Sequence, residues 1–267
     1  MSGFSAGWLT LREPYDRRAR NGDVLKAVAA RFRDESSIAV VDLGCGTGST
    51  LRAISSHLPA QQTWRLVDND LSLLAHAAGL ARPPKMTVAA RTVDLARDLE
   101  LALDGPADLV TTSALLDLVS QDWLDRLAIE SAARRLPVYA ALTYQGEVEL
   151  APTDPFDDAI IAAVNRHQHS DKGFGPALGP DAVEKSIKAF EKVGYDVSQG
   201  PSDWVFAQHD HKIQIEILDG WACAARETGM LSAGRIDNWL ARRRQHVDAE
   251  CSTMRIGHVD IFAAPRS

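Results

Sequence analysis

Asp42, Gly44, Cys45, Gly46 and Gly48 stand together in the run Val40-Val41-Asp42-Leu43-Gly44-Cys45-Gly46-Thr47-Gly48. Alternating glycines turn the chain tightly and leave no Cβ to keep a ligand off the main chain. A loop of this kind that feeds a helix N-terminus aims backbone N–H groups at a bound nucleotide. The carboxylate of Asp42, just ahead of the first glycine, repels a pyrophosphate and suits a cationic group. Counting from Gly44, Ser49 stands where a G-x-G-x-x-G fingerprint needs its third glycine. Both features count against an NAD-dependent oxidoreductase. Further along, Asp68 follows Gly48 by twenty residues, the spacing at which an acid reaches ribose hydroxyls in a nucleotide-binding βαβ unit.

Those residues need particular elements to bring them together. Ile38, Val40, Val41 and Leu43 form the near-continuous apolar run of a strand covered on both faces. Leu51, Ile54 and Leu58 follow at helical spacing from about Thr47, and Pro59 ends that helix. Trp64 to Asp68 is a second strand, and Asp70 caps a helix carrying Leu71, Leu74 and Ala78. A third strand lies within Met86 to Val93, a fourth runs from Asp108 to Thr112, and a fifth spans Leu136 to Leu142 after a helix capped by Ser120. Strand and helix alternate, which predicts a parallel sheet between helices, and right-handed crossovers set Asp68 beside the glycine loop.

The pattern breaks between Tyr144 and Gly179, where prolines and glycines surround one helix from Pro155 to about His167. A covering helix from Asp181 to Val193 ends at Gly194. Two late strands, Trp204 to Phe206 and Ile256 to Phe262, enclose helical stretches near 213–227 and 235–248. Before the first strand, residues 1–34 form a helical cap with Val24, Leu25, Val28 and Phe32 on one side.

The string Val41-Asp42-Leu43-Gly44-Cys45-Gly46-Thr47-Gly48 resembles motif I of the class I S-adenosylmethionine-dependent methyltransferases, and Val67-Asp68-Asn69-Asp70 resembles their motif II. The likeness extends by pattern over about 38–207 and 256–262. It implies an α/β, Rossmann-like, mostly parallel seven-stranded sheet with helices on both faces and a late antiparallel strand, the final strand lying between the fifth and sixth. It implies one methyltransferase domain over 1–267, with an insertion at 145–179. The implied cofactor is S-adenosyl-L-methionine, released as S-adenosyl-L-homocysteine. Asp42, Gly44, Cys45, Gly46 and Gly48 would face its amino acid part, Asp68 and Asn69 the ribose, and Asp94 and Leu95 the adenine, with Asp98 competing for that place. Ser113 and Asp117 would stand near the methyl transfer.

The methyl acceptor is expected to be a small molecule held by Trp8, Arg12, Tyr15, Tyr144 and Gln145. Methyl transfer requires mostly alignment and exclusion of water. If the acceptor must lose a proton, His167 and His169 are the candidate bases, since imidazole titrates near neutral pH. A methyltransferase acting on RNA or protein, and a non-catalytic cofactor-binding protein, are the alternatives. A net charge of -7 on 267 residues gives no electrostatic footprint for nucleic acid. Arg242-Arg243-Arg244 reads as a solvated helix end. Three cysteines without a C-x-x-C pair indicate neither a disulfide framework nor a metal site. No apolar run approaches membrane-spanning length, and the charged first twenty residues do not resemble a signal peptide, so a cytoplasmic location is expected. The oligomeric state stays open.

Overall fold

The computed structural model describes residues 4–79 and 84–266. Its strands are β1 (Ser37–Leu43), β2 (Gln61–Asp68), β3 (Met86–Thr92), β4 (Leu109–Ser113), β5 (Val138–Ala151), β6 (Tyr195–Pro201), β7 (Trp204–Phe206) and β8 (Thr253–Pro265). They form a mixed sheet of order β3-β2-β1-β4-β5-β8-β6, with β7 also on β8. The first five strands are mutually parallel, and β8 runs antiparallel to β5, β6 and β7.

The helices are α1 (Ala6–Ala19), α2 (Gly22–Arg31), α3 (Ser49–Ile54), α4 (Leu71–Ala78), α5 (Leu99–Ala102), α6 (Gln121–Ala133), α7 (Asp157–Gln168), α8 (Ala182–Lys192), α9 (His211–Thr228) and α10 (Ala233–Asp248). They divide between the two sheet faces. Val40 of β1 joins one apolar cluster with residues of α2, α4, α7, α9 and α10. Its neighbours Val41 and Leu43 join the other with residues of α5, α6 and α8. Successive strand residues point to opposite faces, which is why the central strand has no polar alternation.

Three features of the strands and helices differ from the sequence reading. The sheet has eight strands, because Tyr195–Pro201 pairs along β8. This is an edge strand held by its backbone, and only Tyr195 of its seven residues is buried, so it carries little apolar pattern. Strand β5 continues to Ala151 along β8, through register irregularities near Leu142 and Gly146, both at positive φ. The first part of the 145–179 insertion is therefore sheet, and Val148 and Leu150 supply its inward alternation. Residues 6–19 form the first helix of the expected N-terminal cap although Pro14 lies inside, with Ser5 Oγ accepting the Trp8 N–H at 3.1 Å. Helix α3 starts only at Ser49, with Gly48 at φ +81° as its N-cap.

The arginine run is not a solvated end. Arg243 is fully buried and pairs with Asp157, whose Oδ1 also accepts the Trp239 Nε1–H at 2.8 Å. Arg242 pairs with Asp154 and Arg244 with Asp219. These contacts lock α10 to the start of α7 and to α9.

Candidate active site

A cavity of about 720 Å³ opens at the carboxyl ends of β1, β2 and β4, where ligands of open α/β sheets bind. Gly44, Cys45, Gly46, Asp68, Asn69, Asp94, Leu95 and Ser113 line it, and so does Arg12. Asp68 fixes the glycine loop: its Oδ2 accepts the Gly46 N–H at 2.8 Å, and its Oδ1 accepts the Asp70 N–H at 3.0 Å. Gly46 takes φ +51°, and a Cβ there would lie 3.1 Å from Leu9 of α1. The loop thus needs glycine both for its turn and for the approach of α1. Asp94 is half-exposed at the rim, its Oδ1 accepting the Ala96 N–H, while Leu95 beside it is buried. Asp98 begins α5 and does not line the cavity.

Beneath the loop, Asp42 is fully buried. Its Oδ1 accepts from Thr111 Oγ1 at 2.8 Å, while Oδ2 has no partner. Burial pushes its pKa up to about 7, against opposing pulls from Thr111 and the Arg20 guanidinium. Arg20 donates toward Tyr139 Oη at 3.3 Å and Ser113 Oγ at 3.4 Å, and Tyr139 donates to the buried Asp260 at 2.8 Å. Ser113 therefore reaches the cavity from a buried charged network. Asp117 lies behind the wall with Oδ1 unpartnered, its pKa pushed up to about 6 by burial. The Cys45 thiol is likewise pushed up by burial and by Asp42. Gly48, Asp42 and Asp117 support the cavity without lining it.

Helix α1 roofs the end near β4. Arg12 ion-pairs through Nε with Asp16 at 2.9 Å and stacks over Trp204 at 4.9 Å. Asp16 Oδ1 accepts the Trp204 Nε1–H at 2.9 Å. No hydrogen bond among the described residues uses either Nη of Arg12. Glu13 pairs with Arg52, which also donates to the Thr47 carbonyl at 2.7 Å. Trp8 and Tyr15 anchor this helix rather than lining the cavity: Trp8 packs edge-on to Trp204, and Tyr15 donates to Asp210 at 2.7 Å.

Opposite α1, Lys172, Gly173 and Phe174 reach in from the insertion. Asp171 Oδ1 accepts the N–H groups of Gly173 and Gly175 at 2.6 and 3.0 Å and shapes this loop. Phe174 meets Trp123 edge-on at 5.5 Å, and Trp123 donates to the Leu95 carbonyl at 2.6 Å. His167 and His169 lie behind the loop, outside the lining. His167 Nε2 is 2.8 Å from Glu227, and His169 Nδ1 is 3.3 Å from the Ala177 carbonyl. Tyr144 is buried, donating to Asn165 at 2.7 Å, and Gln145 donates to Glu147 at 3.2 Å; neither lines the cavity. Phe4, Leu9, Asp16, Gly173 and Phe174 are lining residues that motif reading passed over. The glycines flanking Phe174 were the one signal for a shaped loop.

Carboxylates dominate the glycine-loop half of this cavity, which fits a ligand carrying sulfonium and ammonium charge and disfavours a pyrophosphate. The buried carboxyl of Asp42 backs this half of the cavity from beneath the loop. Residues 40–137 match the methyltransferase domain family. Those residues, from β1 to the turn before β5, carry a methyltransferase domain, whose methyl donor is S-adenosylmethionine.

The fold recurs in YcgJ of Bacillus subtilis, 14% identical, with 92% of this chain and 100% of that chain covered at a TM-score of 0.53. It also recurs in a cyclopropane-fatty-acyl-phospholipid synthase-like protein of Lactobacillus casei, 13% identical, with 97% and 94% covered at a TM-score of 0.53. No curated protein matches in sequence.

Proposed function

We propose that this methyltransferase acts on a small molecule, enclosed between α1 and the 172–174 loop. The observation that carries the reading is the closure of the β4 end of the cavity by those two segments. A volume of about 720 Å³ lies within the ~300–1,000 Å³ of small-ligand sites. In this reading Asp68 and Asn69 hold the ribose, Asp94 and Leu95 the adenine, and the Gly44–Gly46 backbone with Ser113 the methionine part. Asp42 and Asp117 back the cavity from behind as buried carboxyl groups. Arg12 offers its unused Nη groups to the acceptor, while Trp8, Tyr15, Tyr144 and Gln145 keep the roof and back wall in place. S-adenosylmethionine supplies an electrophilic methyl group, so these residues have to bind, orient and exclude water.

The net charge of -7 opposes a nucleic acid acceptor. Free Cys45, Cys223 and Cys251 favour a cytoplasmic setting. Among the described residues no helix is long and apolar enough to cross a membrane. The test is formation of S-adenosylhomocysteine over a panel of small hydroxyl, amine, thiol and carboxyl compounds, with bulk RNA and denatured protein as further arms. Turnover on a small compound is expected; turnover confined to RNA or protein would overturn the small-acceptor reading.

A further inference from the structure

Lys172 Nζ lies 3.2 Å from His167 Nδ1 and 2.9 Å from Ser170 Oγ. His167 Nε2 in turn lies 2.8 Å from Glu227 Oε2, and Glu227 is exposed on α9. One tautomer satisfies the chain: Lys172 donates to Nδ1, and Nε2–H donates to the carboxylate. A continuous path therefore joins a cavity-lining amine to bulk water through residues of the insertion loop, α7 and α9.

The other acid–base groups near the β4 end are already occupied or withdrawn. Asp16 has both oxygens engaged, by Trp204 and Arg12. His258 is buried against Trp204 and Tyr144, its Nδ1 on the Ile256 carbonyl, and burial pushes its pKa down to about 4. Asp68, Asp70 and Asp94 belong to the opposite end of the cavity. Lys172 is left, and partial burial lowers its pKa although the Glu227 and Asp117 carboxylates oppose that shift.

We propose that Lys172 is the proton acceptor of the methyl transfer, that His167 and Glu227 relay the proton to solvent, and that the methyl acceptor is a hydroxyl or an amine bearing a proton. This rests on the methyltransferase reading above. The acceptor's lone pair forms the bond to the methyl carbon, and the carbon–sulfur bond breaks with its electron pair going to sulfur. The proton released by the acceptor passes to neutral Lys172 Nζ. A proton then leaves Nζ for His167 Nδ1 as Nε2 gives its own to Glu227. His167 and Glu227 are positioning and relay residues; Lys172 alone meets the reacting group. An acceptor without a proton, such as a thioether or a tertiary amine, has no use for this path.

Two arms test it. In the first, trace acetylation of the intact protein with acetic anhydride, followed by mass spectrometry against pH, reads the titration of the Lys172 amine. A midpoint below that of a free lysine is expected, lowered further in Glu227→Gln and Asp117→Asn. In the second, turnover is measured on the small acceptor that the panel identifies. Lys172→Met should lower it by ~10²–10⁴, with S-adenosylhomocysteine affinity within about twofold of wild type. Lys172→Arg keeps the charge but has no usable lone pair, and should not restore turnover. His167→Gln should shift the ascending limb of the pH–rate profile, the limb that follows deprotonation of the base. A Lys172 midpoint at or above the free value, near-wild-type turnover in Lys172→Met, or rescue by Lys172→Arg overturns the proposal. Failure of wild type to bind S-adenosylhomocysteine would instead sink the methyltransferase reading, and the acetylation arm reads out separately from it.

Discussion

Asp68 does two things that one substitution pair separates. Its carboxylate holds the Gly46 and Asp70 N–H groups, and each oxygen keeps a second acceptor position for a ligand. Asp68→Asn leaves one oxygen, so one backbone donor faces an NH₂ group. A hydrogen bond to a charged partner is worth ~1.5–3 kcal/mol, so losing one to the ribose should weaken S-adenosylhomocysteine binding by roughly ten- to a hundredfold. The unsatisfied backbone donor costs a further ~1 kcal/mol of stability in the ligand-free protein, at the low end because the loop borders solvent. For a chain of this size that lowers Tm by about 2–4 °C. Asp68→Ala should lose both backbone bonds and bind more weakly still. Titration calorimetry with S-adenosylhomocysteine and scanning calorimetry of the ligand-free protein read the two effects. A lower melting temperature with affinity unchanged within about twofold would refute the ribose role and leave Asp68 a purely structural clamp.

Arg243→Met should destabilise the protein by ~3–5 kcal/mol, read by urea unfolding, because it strands the buried Asp157 carboxylate; a loss below about 1 kcal/mol would show that the pair is not buried in solution. Asp42 holds its proton in the folded state up to about pH 7, whereas the unfolded side chain releases it near the ordinary value of 3.8. Its contribution to the ligand-free protein is thus present below about pH 4 and is lost as pH rises toward 7, by up to ~1.4 kcal/mol per unit. Asp117 acts in the same direction up to about pH 6, and His258, pushed down to about 4, in the opposite one. The difference between wild type and Asp42→Asn isolates the Asp42 share: the variant should gain relative stability as pH rises from 4 to 7, and parallel curves would disprove the shift.

The parallel half of the molecule was legible because its signals are local. Asp42 and the three glycines mark a strand end, Asp70 and Ser120 cap the helices they were expected to cap, and Val40 with Val41 reports a sheet covered on both faces. Residues 195–201 were missed because an edge strand is held by backbone bonds that carry no side-chain signature. Arg243 was misjudged because its partner Asp157 lies on another helix, and nothing in a run of arginines tells which one meets a buried carboxylate. Motif spacing reached the glycine loop and Asp68, whose geometry β1 and β2 fix. It did not reach the β4 end, where α1 and the 172–174 loop come from segments far apart in sequence.

The floor and the roof of the cavity belong to different stages of the chain's assembly. Strands β1 to β4, which carry the floor, pair with one another within the first half of the sequence. The roof, α1, comes first in the sequence, yet its anchors Trp204 and Phe206 lie on β7, and β7 is held in the sheet by β8. Until the last strand is made, β5 and β6 present open edges of the kind that recruit other chains. A truncation that removes only the last strand would therefore leave the cavity floor formed while unfastening, from far along the polypeptide, the helix that closes over it.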